Sequence, residues 1–465
     1  MNQAECQAFI ANLREGNRKF FADLRGRGAL RQLNQNFTHG WVYIAELLQN
    51  AIDEQARHIR FTIDDGNLVF EHDGRAFSED NVRGLCSTGL STKGAGTVGF
   101  MGVGFKSVFH AFERVDVSSA DWRFYLQVGW STGSSQYGER IRDWLGAVLP
   151  YWSDQAEAPT AGMTCRFVFS RRNDGQPAIA QDLHRVLQSD LSLLPLLARR
   201  GIRCLDWNDD AWELACEEAP APKNGVRLFH ISATQPGGAE ARSWGLFVSE
   251  YEPTKASIQQ FLEHRQIVPP DPGPERDRFY DEAARMRSVE AFFEVGPDAV
   301  PRLPDVGRAF AVLPMELLLP LRLHIQADWL LVVTRADPKN LDDDTPWHRQ
   351  IREQIPRLLA AYIAWLVSGS RSAGWAAGFE VLPDFRRTDT AGGQWLLCDA
   401  FRAQLRGELA TLPFLPTFEA QGFVTPEVGL FAPGPFMPLF DAAWLPNYLF
   451  GQRAVAWQQL PPRTV

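Results

Sequence analysis

The stretch Glu46-Leu47-Leu48-Gln49-Asn50-Ala51-Ile52-Asp53 decides how the first third of this chain is read. It closes an apolar-periodic run of Trp41, Ile44, Ala45, Leu47, Leu48, Ala51 and Ile52, which predicts a helix with one buried face. Glu46, Asn50 and Asp53 lie four and seven residues apart, so a carboxylate, an amide and a second carboxylate share one helical face. By itself such a stripe reads as a solvated surface. Upstream, Phe37-Thr38-His39-Gly40 breaks the chain after a polar, helix-permissive opening. Downstream, two β-type runs, 58–63 and 68–72, are joined by Asp64-Asp65-Gly66-Asn67, which has hairpin chemistry.

The second run leads into Glu71-His72-Asp73-Gly74-Arg75-Ala76-Phe77. A carboxylate at Asp73 can accept a hydrogen bond from an exocyclic amine such as that of adenine, while an ordinary Asp-Gly turn accounts for the pair equally well. From Ser87 to Gly104 the chain is rich in Gly, Ser and Thr, and it ends in Gly99-Phe100-Met101-Gly102-Val103-Gly104-Phe105-Lys106-Ser107. Closely spaced glycines before a helix let backbone N–H groups approach phosphate oxygens, with the helix dipole assisting. A hinge explains any one of these glycines but strains to explain all three. Further strands are expected at 115–119, 122–128 and 164–169, which makes the first section a helix layer on a mostly antiparallel sheet.

In order and spacing these segments resemble the GHKL superfamily of ATPases, whose nucleotide pocket is the Bergerat fold, with sacsin-like and heat-shock protein 90-like members nearest in pattern. The likeness covers roughly residues 40–170. Glu46, Asn50 and Asp53 fall at the first motif, Asp73 and Gly74 at the second, Gly99, Gly102 and Gly104 at the third, and Thr164 in Gly162-Met163-Thr164 at the last. The second motif departs from the usual Asp-x-Gly-x-Gly, in a form similar to the Asp-Gly-x-x-Phe of sacsin-like proteins.

The resemblance implies that ATP and Mg²⁺ are the cofactors. Glu46 would orient or deprotonate the attacking water, Asn50 would hold the metal, and Asp73 would read the adenine amine. The three glycines, with Val103 and Phe105 beside them, would cradle the phosphates. Ser91, Thr92 and Lys93 would belong to a closing lid. Lys106 is either a phosphate neutraliser or a helix-surface lysine. The glutamate at the base position implies a hydrolysing member, slow or partner-stimulated, rather than a histidine kinase. His39, His58 and His110 read as structural or surface residues. Further along, 331–337 resembles the loop of the heat-shock protein 90 middle domain whose arginine reaches the γ-phosphate, which makes Arg335 the candidate; a surface arginine paired with Asp337 or Asp342 is an equal alternative.

The remaining chain supports a three-part α+β architecture: a nucleotide domain over 1–175, a transducer-like α/β middle domain over 176–370, and a small C-terminal section over 371–465. In the middle part a helix is expected over 182–197, strands over 225–231, 243–248 and parts of 310–333, and a helix over 347–366. Across 465 residues, 47 Lys+Arg against 56 Asp+Glu give −9, which argues against a general nucleic-acid coat protein. The short apolar runs and the opening residues suggest no membrane span or signal peptide, hence a cytoplasmic protein. The six cysteines are far apart with no nearby His at zinc-ligand spacing, so they read as reduced, mostly buried thiols. The heavy aromatic content, 15 Trp and 31 Phe, fits either well-filled cores or a partner surface.

The expected activity is therefore ATP hydrolysis coupled through lid closure to shape change, in a chaperone- or remodeller-like protein with a client and a possible homodimer. The alternatives are an ATP-gated nucleic-acid clamp of the MutL or MORC type and a nucleotide-sensing component of a bacterial defence complex.

Overall fold

The computed structural model describes residues 1–22, 42–64, 66–87, 104–132, 140–171, 179–187, 193–207, 210–235, 238, 240–264, 273, 280–281, 283–331, 338, 341, 345–368, 381–383, 389–413, 415–416, 423–425, 429–431 and 453–455. The chain forms two compact units, Met1–Ala215 with Ala233–Ala241, and Cys216–Ser232 with Arg242–Val465. The first unit thus continues past the boundary drawn at 175 in the sequence. No helix among the described residues is long and apolar enough to cross a membrane.

The first unit opens with helix α1 (Gln3–Ala22), started by a reciprocal pair in which Asn2 N–H donates to Glu5 Oε2 and Glu5 N–H to Asn2 Oδ1. Helix α2 (Val42–Asp53) carries the deciding stretch and ends where Gln55 takes a left-handed conformation, φ 59°, with Ala56 N–H donating to Ala51 O. Strands β1 (His58–Asp64) and β2 (Asn67–His72) follow as the expected hairpin, turning through Gly66 at φ 78°. Helix α3 (Glu79–Leu85) starts on a capping box of Ser78 and Asn81. A 3-10 turn, Gly104–Ser107, then runs into the short helix α4 (Val108–Ala111).

Strands β3 (Phe112–Ser119), β4 (Trp122–Gln127), β5 (Gly129–Thr132), β6 (Arg140–Asp143), β7 (Tyr151–Trp152) and β8 (Cys165–Arg171) come next. They are followed by helices α5 (Ile179–Leu187) and α6 (Leu194–Arg199) and by strand β9 (Cys204–Trp207). The expected single helix over 182–197 is thus described as two elements, the second beginning beside Pro195, whose missing N–H suits a helix start. The sheet order is β9-β1-β2-β8-β3-β4-β7. β1 and β9 run parallel, and the other pairs are antiparallel. One face of the sheet is an aromatic layer: Phe61 lies 4.9 Å from Phe70, Phe70 5.8 Å from Phe167, and Phe167 stacks on Phe169. Ile44, Leu48 and Ala51 of α2 are also buried, and Tyr43 of the same helix meets Phe112 of β3 edge-on at 5.4 Å.

Strand β10 (Asp210–Ala219) pairs antiparallel with β9. In the second unit, β11 (Val226–Thr234), β12 (Ala241–Tyr251), β13 (Arg287–Val295), β14 (Pro301–Arg302), β15 (Gly307–Ala311), β16 (Leu313–Leu319) and β17 (His324–Ala327) form a sheet with the order β16-β15-β17-β13-β12-β11, and β14 pairs with β13. Helices α7 (Lys255–His264), α8 (Pro346–Ser368), α9 (Ala391–Leu396) and α10 (Asp399–Ala410) share its core, with Phe247, Phe293, Trp347, Leu359, Tyr362 and Trp395 among the packed side chains. Of the described aromatic residues only Phe20 is a large exposed hydrophobe, so those described are mostly core or half-buried.

Candidate functional site

The face of α2 singled out in the sequence is not a solvated stripe. Glu46 is only 3% exposed, and Asn50 and Asp53 are half-buried. Between them Gln49, which sequence reasoning passed over, is 2% exposed, and its Nε2 has no hydrogen-bond partner among the described residues. Nothing in the periodicity distinguishes it from a surface glutamine.

The Asp73–Gly74 turn sits against the end of this helix. A Cβ at Gly74 would lie 2.7 Å from the Glu54 carbonyl oxygen, so the absence of a side chain is what permits the approach. Arg75 fastens the contact: its N–H donates to Glu54 O at 2.8 Å, its guanidinium to Asp53 O at 3.0 Å, and its Nε pairs with Glu54 at 3.1 Å. Asp73 Oδ1 accepts from the N–H groups of Arg57 and His58 at 2.7 and 2.8 Å. Its second oxygen takes no hydrogen bond among the described residues. One carboxylate oxygen of Asp73 thus serves the turn.

Thr164 closes the third side. The β2–β8 register sets His72 opposite Cys165, and the Thr164 hydroxyl reaches the carbonyls of His72, at 3.1 Å, and of Gly74. Having one proton, it donates to one of them at a time and keeps its lone pairs. His72 Nδ1 accepts from Gly74 N–H at 3.2 Å, which requires the tautomer protonated at Nε2; burial lowers the His72 pKa to about 4 and so favours the neutral ring. Cys165 is pinned beside this turn, with Ser119 Oγ 3.1 Å from its sulfur, and burial raises its thiol pKa.

Two residues expected on the phosphate side have their side chains in the interior. Phe105 packs in the aromatic layer, 6.0 Å from Phe167. Lys106 is not a surface lysine: it is fully buried, and its ammonium donates to the carbonyls of Leu85 and Ala147, the latter at 2.5 Å. Burial lowers its pKa to about 8, partly offset by the nearby Cys86. Asn17 of α1 donates to the next carbonyls along the same two segments, Cys86 O at 3.0 Å and Val148 O at 2.7 Å. Gly104 begins the 3-10 turn as expected of a helix entry. Ser91, Thr92, Lys93, Gly99, Gly102, Val103 and Arg335 lie outside the described residues.

Among the histidines, His58 is not merely a surface residue. The parallel pairing of β1 with β9 sets it opposite Cys204, and its Nε2 is 2.7 Å from Asp206 Oδ2. All six cysteines are free thiols.

No family model matches the chain. It is weakly homologous to the Protein NO VEIN of Arabidopsis thaliana, 24% identical over 351 residues, 71% of this chain and 11% of that protein, so it spans about a ninth of the relative's length. A solved structure titled as the N-terminal domain of a DNA repair protein is similar over 45% of this chain and 72% of that one, at 12% identity and a TM-score of 0.24, which carries no argument about fold or function.

Proposed function

We propose that the first unit is a Bergerat-type nucleotide domain of the GHKL kind, that it binds Mg²⁺–ATP and hydrolyses it slowly, and that closure of the 87–104 segment drives a change of shape in a remodeller-like cycle. The observation that carries this reading is the convergence of three separated segments. The last turns of α2, with Glu46, Asn50 and Asp53, meet the Asp73–Gly74 turn through the close approach at Glu54 O, and Thr164 is bonded to that same turn.

The arrangement supplies the required chemistry. Asp73 keeps an oxygen for an exocyclic amine, with Thr164 beside it. Asn50 offers an amide oxygen to a hard cation bridging phosphates. Glu46, one helical turn away, is the general base for water. Lys106 takes no part in phosphate binding in this reading, and any positive charge at the γ-phosphate is left to Lys93 or Arg335.

Steady-state ATP hydrolysis with Mg²⁺, measured beside equilibrium nucleotide binding, tests the proposal. The wild type is expected to turn over, Glu46→Ala to bind ATP while losing about 10²-fold or more in rate, and Asp73→Asn to lose binding. Absence of nucleotide binding by the wild type would overturn the assignment.

A further inference from the structure

A group of metal-capable side chains takes no part in the proposed nucleotide site, although the backbone N–H of one of them, His58, holds Asp73. In β1 the residues Ile59 and Phe61 are fully buried, as is Leu205 in β9, so the alternate residues His58, Arg60, Cys204 and Asp206 project from the opposite face of the sheet. The parallel register sets His58 beside Cys204 and Arg60 beside Asp206. One donor atom from each of His58, Cys204 and Asp206 lies within 4.8 Å of the others. On the neighbouring strand β10, Glu213 is opposite Cys204 and hence on the same face.

We infer that His58, Cys204 and Asp206 form a binding site for a zinc-type divalent ion, with Glu213 or water as the fourth donor.

The internal contacts of the group are those of donors sharing protons. His58 Nε2 meets Asp206 Oδ2 at 2.7 Å, and Cys204 Sγ meets Asp206 Oδ1 at 3.4 Å. Metal–donor bonds of about 2.0–2.3 Å put tetrahedral neighbours roughly 3.3–3.6 Å apart, so the three atoms need to move by only about an ångström. A mixed nitrogen, sulfur and oxygen set suits zinc and excludes magnesium and calcium, which take oxygen. Arg60 does not occupy the site. Its Nε holds Asp206 Oδ2 at 3.0 Å and its Nη1 donates to Thr160 Oγ1, so it orients the carboxylate from one side while Oδ1 faces the thiol. With a thiolate, the carboxylates of Asp206 and Glu213, and the Arg60 guanidinium, a divalent ion brings the local charge to zero. The His58 and Asp206 side chains, 29% and 14% exposed, leave a path for entry.

This site does not depend on the nucleotide reading. The test titrates chelator-treated full-length protein with Co²⁺. One equivalent is expected to give a near-ultraviolet thiolate-to-cobalt band and the visible bands of tetrahedral cobalt, both abolished by added Zn²⁺. Cys204→Ser is expected to lose the thiolate band and Cys398→Ser to keep it, while His58→Gln weakens binding at least about tenfold. A second measurement needs no variant: Zn²⁺ is expected to slow alkylation of Cys204 in the wild type, read by mass spectrometry, without slowing that of Cys398. No thiolate band with cobalt, a band that survives in Cys204→Ser, or alkylation of Cys204 indifferent to Zn²⁺ would each overturn the site.

Discussion

Lys106 shows how much a single side chain's partners change its reading. In sequence it follows a glycine-rich stretch and resembles a phosphate-binding lysine; in the fold its ammonium serves two backbone carbonyls within a closed interior. Replacing it with methionine keeps the aliphatic stem but leaves the oxygens of Leu85 and Ala147 without that donor. Each such loss costs about 1–3 kcal/mol, offset in part because a buried charge is removed as well. Lys106→Met is expected to lower the stability of the first unit by about 2 kcal/mol in urea denaturation. At a temperature where it remains folded, its nucleotide affinity should be close to wild type. A large loss of affinity with unchanged stability would restore the phosphate role. Gly74 is the converse case, because its reason for being glycine is the backbone oxygen of Glu54, about 20 positions earlier in the chain, and only tertiary structure reveals it.

Helix α1 is largely polar, yet it is docked by a few specific contacts. Phe9 packs edge-on to Trp122 at 5.3 Å, Arg83 lies over the same Phe9 ring, and Asn17 ties the helix to carbonyls on two segments. Asn17→Ala removes both hydrogen bonds while leaving the helix intact. It is expected to destabilise α1 docking by about 1–3 kcal/mol, seen as faster limited proteolysis within residues 1–22; unchanged protection would show that the aromatic contacts suffice.

At this scale much of the fold was legible. α2, the β1–β2 hairpin, β3, β4, β8 and α8 follow from apolar period, β-type runs and Asp-Gly turn chemistry, although α2 and α8 are buried on more faces than the period alone marks. The Asp73 turn was visible from its Asp-Gly pair, whereas the burial of Glu46 on α2 was not, because its spacing alone reads as a solvated stripe. What was not legible depends on pairing between distant strands. β1 meets β9 across nearly 150 residues, so the adjacency of His58, Cys204 and Asp206 leaves no local spacing to find. Sequence distance alone therefore marks Cys204 as a plain thiol.

Each unit also carries a histidine kept neutral by burial. Desolvation lowers the pKa of His72 in the first and His324 in the second from 6.5 to about 4; Asp73 opposes the shift at His72, and Arg308 adds to it at His324. Unfolded imidazoles titrate near 6.5, so between these values the unfolded chain binds more protons than the folded one. The stability these groups confer is complete above pH 6.5 and is lost as pH falls through 4, about 3 kcal/mol for each unit. Urea denaturation midpoints are expected to drop between pH 7 and pH 4.5. His72→Gln should remove much of that dependence in the first unit only, and an unchanged pH slope would mean that other groups govern acid unfolding.

The paired braces of Lys106 and Asn17 have a further consequence for the Gly-, Ser- and Thr-rich residues between them. Because Lys106 bonds Leu85 O, the chain from 85 to 106 is a ring closed by a side chain, whatever path residues 88–103 follow. The entropy of bringing its ends together belongs to folding and is not charged against ligand binding. Ring entropy varies only with the logarithm of length, about 0.6 kcal/mol for each doubling. Inserting several Gly-Ser residues after Ser91 should therefore leave the melting temperature of the first unit almost unmoved, which makes this ring a place where length can change without cost to the scaffold.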